Sequence, residues 1–133
     1  MKREETFSGT WGEHYAATCL EKDGYQILQR NYRSRWGEID LIAQKAGYIC
    51  FVEVKTRRED PWVSGIEAVT AAKQRRLIRT ALCYLAERSI DLQPRFDLFE
   101  IYVRPAGGAG QLEAVSHRHL ENAFEVEGEY ALF

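Results

Sequence analysis

The sequence predicts an α/β protein with a central mixed sheet flanked by helices, on three observations. A stretch with helical periodicity precedes three successive strand-like segments, a long helix-forming stretch follows them, and alternating segments return toward the end. That order favours a single sandwich around one sheet, and 133 residues with 45% apolar content suffice for one hydrophobic core. Residues 1–9 are expected as a flexible leader, 10–122 as a single domain and 123–133 as an acidic C-terminal extension.

Gly9 or Thr10 is expected to precede a first helix that runs to about Asp23, because Glu13, Ala16, Ala17 and Leu20 recur at three- and four-residue intervals and Gly24 follows. YQILQRNYR reads as a strand, SRWG as a turn and EIDLIA as a second strand with a period of two. QKAG turns the chain into YICFVEVK, whose β-branched and aromatic residues predict a central strand. Polar TRREDPWVSG interrupts regular structure before IEAVTAAKQRRLIRTALCYLAERS, a long helix with Val69, Leu77, Ala81 and Leu85 on its apolar stripe. Beyond Pro94, RFDLFEIYVR alternates as a strand, PAGGAG turns, and QLEAVS forms a shorter strand. A short helix is expected around Arg118 to Ala123, with Glu125, Glu127 and Glu129 keeping the end hydrated.

Charge is segregated along the chain. The formal net charge is −2, yet residues 30–80 carry 11 basic and 6 acidic side chains against 7 and 14 elsewhere, which permits a basic binding surface beside an acidic tail. Cys19, Cys50 and Cys83 are widely spaced and odd in number, so they form neither a disulfide framework nor a C-x-x-C site. The first residues lack the apolar core of a signal peptide, and no run approaches the roughly 18 apolar residues of a membrane span, so a cytoplasmic protein without membrane contact is expected.

Chemistry concentrates in GEIDLIA and YICFVEVKTR. On the second of these strands Ile49, Phe51, Glu53 and Lys55 share one face, and on the first Asp40 can meet that face if the register allows. Paired carboxylates repel until a cation lies between them, and their oxygens suit Mg2+ or Mn2+. Phosphodiester cleavage needs such a cation and a positive group near the attacking water, here Lys55, with the backbone carbonyl of Val54 as a further hard ligand. A strand-edge ion pair between Glu53 and Lys55 is the alternative. Glu13, on the helical side of Ala17 and Leu20, either points inward to act on the same metal through water or complements the helix N-terminus.

Arg57 and Arg58 after the lysine, with Lys73, Arg75, Arg76 and Arg79 on the long helix, are candidates to hold phosphates without reading bases; a solvated face is the alternative. Gln74 is a candidate for substrate contact or simple exposure. Trp36 and Trp62 fall in expected loops, where stacking on an opened base, core anchoring or a dimer contact would each explain them. Asp97 either supports the site or makes a structural hydrogen bond, while His14, His117 and His119 lack a complete ligand set and read as surface or packing residues. Gly107, Gly108 and Gly110 lack the ending of a phosphate loop and read as a turn.

Taken together, GEIDLIA, FVEVKTR, AVTAAKQRRLIRTA and RFDLFEI resemble the small bacterial YraN-like family over roughly residues 11–103. The fold of that family looks like that of restriction endonucleases and Holliday-junction resolvases. The resemblance implies a PD-(D/E)xK core in which Asp40 matches the metal-binding aspartate, Glu53 the second acidic ligand, Lys55 the lysine and Glu13 the acid of the first helix. Ile39 stands before Asp40 where the motif has proline. The implied activity is a magnesium-dependent endonuclease on DNA, at a branched or deformed structure, with a two-fold dimer as a compatible assembly. The alternatives are a non-catalytic nucleic-acid-binding or repair scaffold and, further off, a protein-interaction module.

Overall fold

The computed structural model describes residues 2–59 and 69–124, with side chains from Thr10 onward. Five strands, β1 (Gln26–Ser34), β2 (Gly37–Lys45), β3 (Tyr48–Arg58), β4 (Gln93–Pro105) and β5 (Leu112–Phe124), form one sheet in the order β1-β2-β3-β4-β5. Only β3 and β4 run parallel, because α2 (Ala71–Arg88) lies between them in sequence and returns the chain to the same end of the sheet. The other neighbours are antiparallel, so the sheet is mixed and the YICFVEVK strand is its centre, as the sequence predicts.

Alternation along β3 sends its side chains to two cores. Cys50 and Val52 join Leu41, Ala43, Phe99, Ile101 and Val103 beneath Ala16, Ala17 and Leu20 of α1 (Lys2–Lys22). Ile49 and Phe51 join Ile42 and Phe96 beneath Leu77, Ile78, Ala81 and Tyr84 of α2. Both halves of the sheet are thus covered, and the strand is apolar on both sides until it reaches Glu53.

The hairpin between β2 and β3 closes through Ala46 and Gly47, which have φ of 51° and 85° and lie inside the Lys45–Tyr48 pair. Positive φ at both central residues is the type I′ turn that matches strand twist. Glycine adopts it freely, whereas alanine is strained there.

Two helix boundaries differ from the sequence expectation. Helical backbone begins at Lys2, ahead of Gly9 and Thr10, since KREE consists of good helix formers that extend the helix backward. α2 begins at Ala71 and not at Ile66, because Thr70 caps it: the Thr70 hydroxyl accepts from Lys73 N at 3.1 Å, and the Gln74 amide donates to Val69 O at 2.9 Å. Ile66, Trp62, Glu125, Glu127 and Glu129 lie outside the described residues.

The expected helix at 118–123 is a correction, since β5 continues as a strand through Phe124. Its side chains find cross-strand partners that a helix would not reach. Arg118 binds the buried Glu100 at 2.9 Å, His119 meets Asp97 at 2.7 Å, and Asn122 N donates to Asp97 at 3.0 Å. Asp97, held also by a two-pronged Arg95 contact, is therefore a structural anchor on the α1 side, the plainer of its two readings. His117 and His119 pack against Phe99, the packing role expected of them.

Replacing Ala46 by Asn, which tolerates the left-handed region, is expected to raise stability by about 0.5–1 kcal/mol. Urea denaturation measures it, and a loss of stability would contradict the turn assignment.

Candidate functional site

The ladder between β2 and β3 runs from Lys45↔Tyr48 to Leu41↔Val52 and ends there. Beyond it the Val54 N–H donates to Asp40 Oδ2 at 2.8 Å, so a carboxylate takes the place of a strand carbonyl. The same point disturbs β2 from the other side. Ile39 and Ile42 both contribute to the α2-side core while Leu41 lies in the α1-side core, so simple alternation slips at Asp40. Across the ladder to β1, Asn31 sits between the paired residues Arg30 and Tyr32 with φ 51°, a left-handed kink that asparagine accommodates.

Asp40 consequently meets acids from both faces of the sheet. On the α1 side it neighbours Glu13, which also lies beside Asn31. On the α2 side it neighbours Glu53, close enough for each carboxyl to shift the other. Glu38, two residues before Asp40, completes a group in which Glu13, Glu38 and Asp40 offer oxygens all within 4.8 Å of one another. Glu13 is placed by Gly12, whose missing side chain lets α1 approach the sheet: a Cβ there would lie 2.6 Å from Thr56 Oγ1.

Two lysines lie against this acidic group. Lys73, from the first turn of α2, brings its Nζ to 2.9 Å from Glu53 Oε2. The contact is ionic without a well-directed hydrogen bond, and Oε2 is buried with no directed partner among the described residues. Lys55 lies close enough to Lys73, Glu53 and Asp40 to feel their charges.

The protonation pattern follows from this crowding. Burial, and then the neighbouring Glu53, push the Asp40 carboxyl up to about 9. Burial would also raise Glu53, but the hydrogen bond from Asp40 and the ammonium of Lys73 outweigh it and leave Glu53 below its ordinary range. Of the two coupled acids, Asp40 is thus the one that holds a proton more tightly. Burial raises Glu13, with Glu38 adding repulsion. The neighbouring Lys73, then partial burial, hold Lys55 below the usual lysine range; for Lys73 burial works downward, but the neighbouring Lys55 and Glu53 outweigh it and leave the group raised.

Oxygen donors, excess negative charge and a buried carboxylate oxygen lacking a directed bond together fit a hard divalent cation. Of the residues singled out by sequence, Glu13, Asp40, Glu53 and Lys55 come together, and Val54 enters through its N–H. Lys73 joins the carboxylates directly. Arg57 is drawn to the fully buried Glu100, and Gln74 is engaged at the start of α2. Arg58, Arg75 and Arg76 are exposed, and Arg79 lies over the Trp36 ring at 4.6 Å.

Sequence reasoning missed the roles of Glu38 and Glu100. Glu38 was findable, since it shares the i, i+2 face with Asp40. Glu100 carried a weaker signal, a lone acid within the apolar run FEIYV.

A raised folded-state carboxyl fixes the sign of a pH effect. The fold retains on Asp40 a proton that the unfolded chain releases near 3.8, so this stabilising contribution is lost as pH rises toward about 9. The lowered Glu53 has the opposite effect only as pH falls through its folded value, below 4.5. In chelator, wild-type stability should fall from about pH 5 to about pH 9 relative to Asp40→Asn, read from urea midpoints. Parallel pH profiles for the two proteins would contradict the raised Asp40 carboxyl.

The sequence matches the family described as "Uncharacterised protein family UPF0102" over residues 12–101, which spans both β2 and β3 and all of α2. A UPF0102 protein of Syntrophotalea carbinolica is 47% identical over 90% of this chain and 93% of its own length. One of Symbiobacterium thermophilum is 49% identical over 87% and 94%, and one of Chlorobium chlorochromatii is 44% identical over 90% and 92%. With the match extending through the carboxylate hairpin and the helix that supplies Lys73, the chain belongs to the UPF0102 (YraN) family.

Proposed function

We propose that this protein is a divalent-metal-dependent nuclease that hydrolyses DNA phosphodiester bonds, with a PD-(D/E)xK core formed by Asp40, Glu53 and Lys55. The observation that carries the reading is the meeting of Asp40 with Glu53 on one side and Glu13 on the other, beside Lys55. Magnesium is the cation that the donor set suits best among common cellular metals, with manganese as a substitute.

When bound, such a cation supplies Lewis-acid polarisation of the phosphate and a lowered proton affinity for its water. The chain does the rest. Asp40, Glu53, Glu13 and Glu38 would hold the cation, with the Val54 carbonyl as a neutral oxygen donor. Lys55 places its Nζ where negative charge develops on phosphate or where a proton leaves the attacking water. Arg58, Arg75, Arg76 and Arg79 contribute positive charge without base specificity. Branched or deformed DNA is the proposed substrate class, carried over from the family resemblance.

A second reading, nucleic-acid binding without catalysis, is favoured by one observation: Lys73 already neutralises Glu53 without a metal. Activity separates the two. Purified protein with magnesium or manganese is expected to cleave at least one substrate among duplex, single-stranded, flap and four-way DNA. Lys55→Ala should lower the cleavage rate by about 10²–10³ while DNA affinity is largely kept. Manganese binding should release close to one proton at neutral pH, seen as a calorimetric enthalpy that varies with buffer, because the proton held by Asp40 must leave. Intact DNA across the panel together with no metal binding would reject the nuclease.

A further inference from the structure

We propose that the tip of the β1–β2 hairpin is a phosphate clamp for a nucleic-acid backbone, in which Trp36 holds the guanidinium groups of Arg35 and Arg79. The inference rests on the nucleic-acid reading above and adds to it a grip on the substrate outside the carboxylate cluster. The Arg35 guanidinium carbon lies 4.7 Å from the centre of the Trp36 ring, and that of Arg79, from α2, lies 4.6 Å from it. One aromatic ring thereby gathers two cations from separate elements into one place.

The tip is fixed on α2 and not left to swing. Ser34 Oγ donates to Thr80 Oγ1 at 3.1 Å, Thr80 is fully buried and donates to Arg76 O at 2.8 Å, and Trp36 N donates to Ser34 Oγ at 3.0 Å. Gly37 lies against the same stretch of α2, where a Cβ would make ordinary contact with Thr80 Oγ1 at 3.6 Å and Arg76 Cβ at 3.7 Å. Arg76, one turn before Arg79 on α2, is exposed.

Stacking engages the flat face of a guanidinium, whereas phosphate is gripped by its N–H edge, so the two contacts are compatible. With two cations already over the ring, an anionic backbone fits this place better than a base. The clamp is also covalently close to the carboxylates. Trp36 precedes Asp40 by four residues, roughly 13 Å of extended chain at about 3.3 Å per residue. That span corresponds to about four nucleotides of axial rise, so one strand can run from the clamp to the acids.

The test is fluorescence anisotropy of a labelled DNA duplex with the full chain, in chelator, over a series of salt concentrations. Arg35→Ala and Arg79→Ala should each lower the slope of log affinity against log salt by about 0.9. Trp36→Ala, which changes no charge, should weaken binding by about two- to tenfold, and Trp36→Phe should keep most of the affinity. Thermal unfolding of each variant confirms that it is folded. Unchanged salt slopes in both arginine variants, or wild-type binding by Trp36→Ala, would overturn the clamp. Magnesium-dependent cleavage is read separately: cleavage by the wild type with unaltered binding by the clamp variants sinks the clamp alone, whereas clamp-dependent binding without cleavage sinks catalysis alone. Failure of the wild type to bind DNA in chelator overturns the clamp, and absence of cleavage with magnesium overturns catalysis.

Discussion

The hydrogen bond from the Val54 N–H to the Asp40 carboxylate is the interaction on which the site depends. A β-ladder satisfies its own polar groups, and two strands have no reason to part while it continues. Here one carboxylate ends the ladder beyond Leu41↔Val52 and satisfies the first amide left over. The strands diverge without an unpaired buried donor, and the side chain that replaces the ladder becomes the centre of an acidic cluster.

That position explains why acids from opposite faces of the sheet meet. Glu13 descends from α1, Glu53 faces α2, and only a residue at the point of divergence touches both. Bringing like charges together in a half-buried place is unfavourable unless something neutral or positive intervenes. Two features ease it, the raised proton affinity of Asp40 and the Lys73 ammonium against Glu53. In the proposed nuclease a divalent cation would replace the proton and compete with the ammonium. Elsewhere the same fold treats buried acids differently: Glu100 and Asp97 are saturated by arginines, histidine and backbone, which makes them fixed parts of the framework.

Much of this was legible in the sequence because it depends on local periodicity. The alternation of Ile49, Phe51, Glu53 and Lys55 sets their shared face, and the short QKAG turn forces β2 and β3 to pair. The spacing of Ala16, Ala17 and Leu20 fixes which side of α1 is buried. What was not legible arises from contacts distant in sequence. RHLENA carries no pattern that favours strand over helix; Glu100 and Asp97, about twenty residues earlier, decide it. Likewise Lys73 looked like one more member of a basic helix face. Its pairing with Glu53 follows from Thr70 starting α2 where it does, which turns that lysine toward the sheet. The Trp36 stack needs Arg79 from α2, so neither segment alone announces it.

The most direct measurement of the central claim is a crystal structure of the protein soaked with manganese, with the ion located by its anomalous scattering. The account predicts a single strong peak within about 2.0–2.3 Å of oxygens from Asp40 and Glu53, with Glu13 or Glu38 adjoining and the Lys73 ammonium moved away from Glu53. A map without a peak there at millimolar metal, with Lys73 still seated against Glu53, would contradict it.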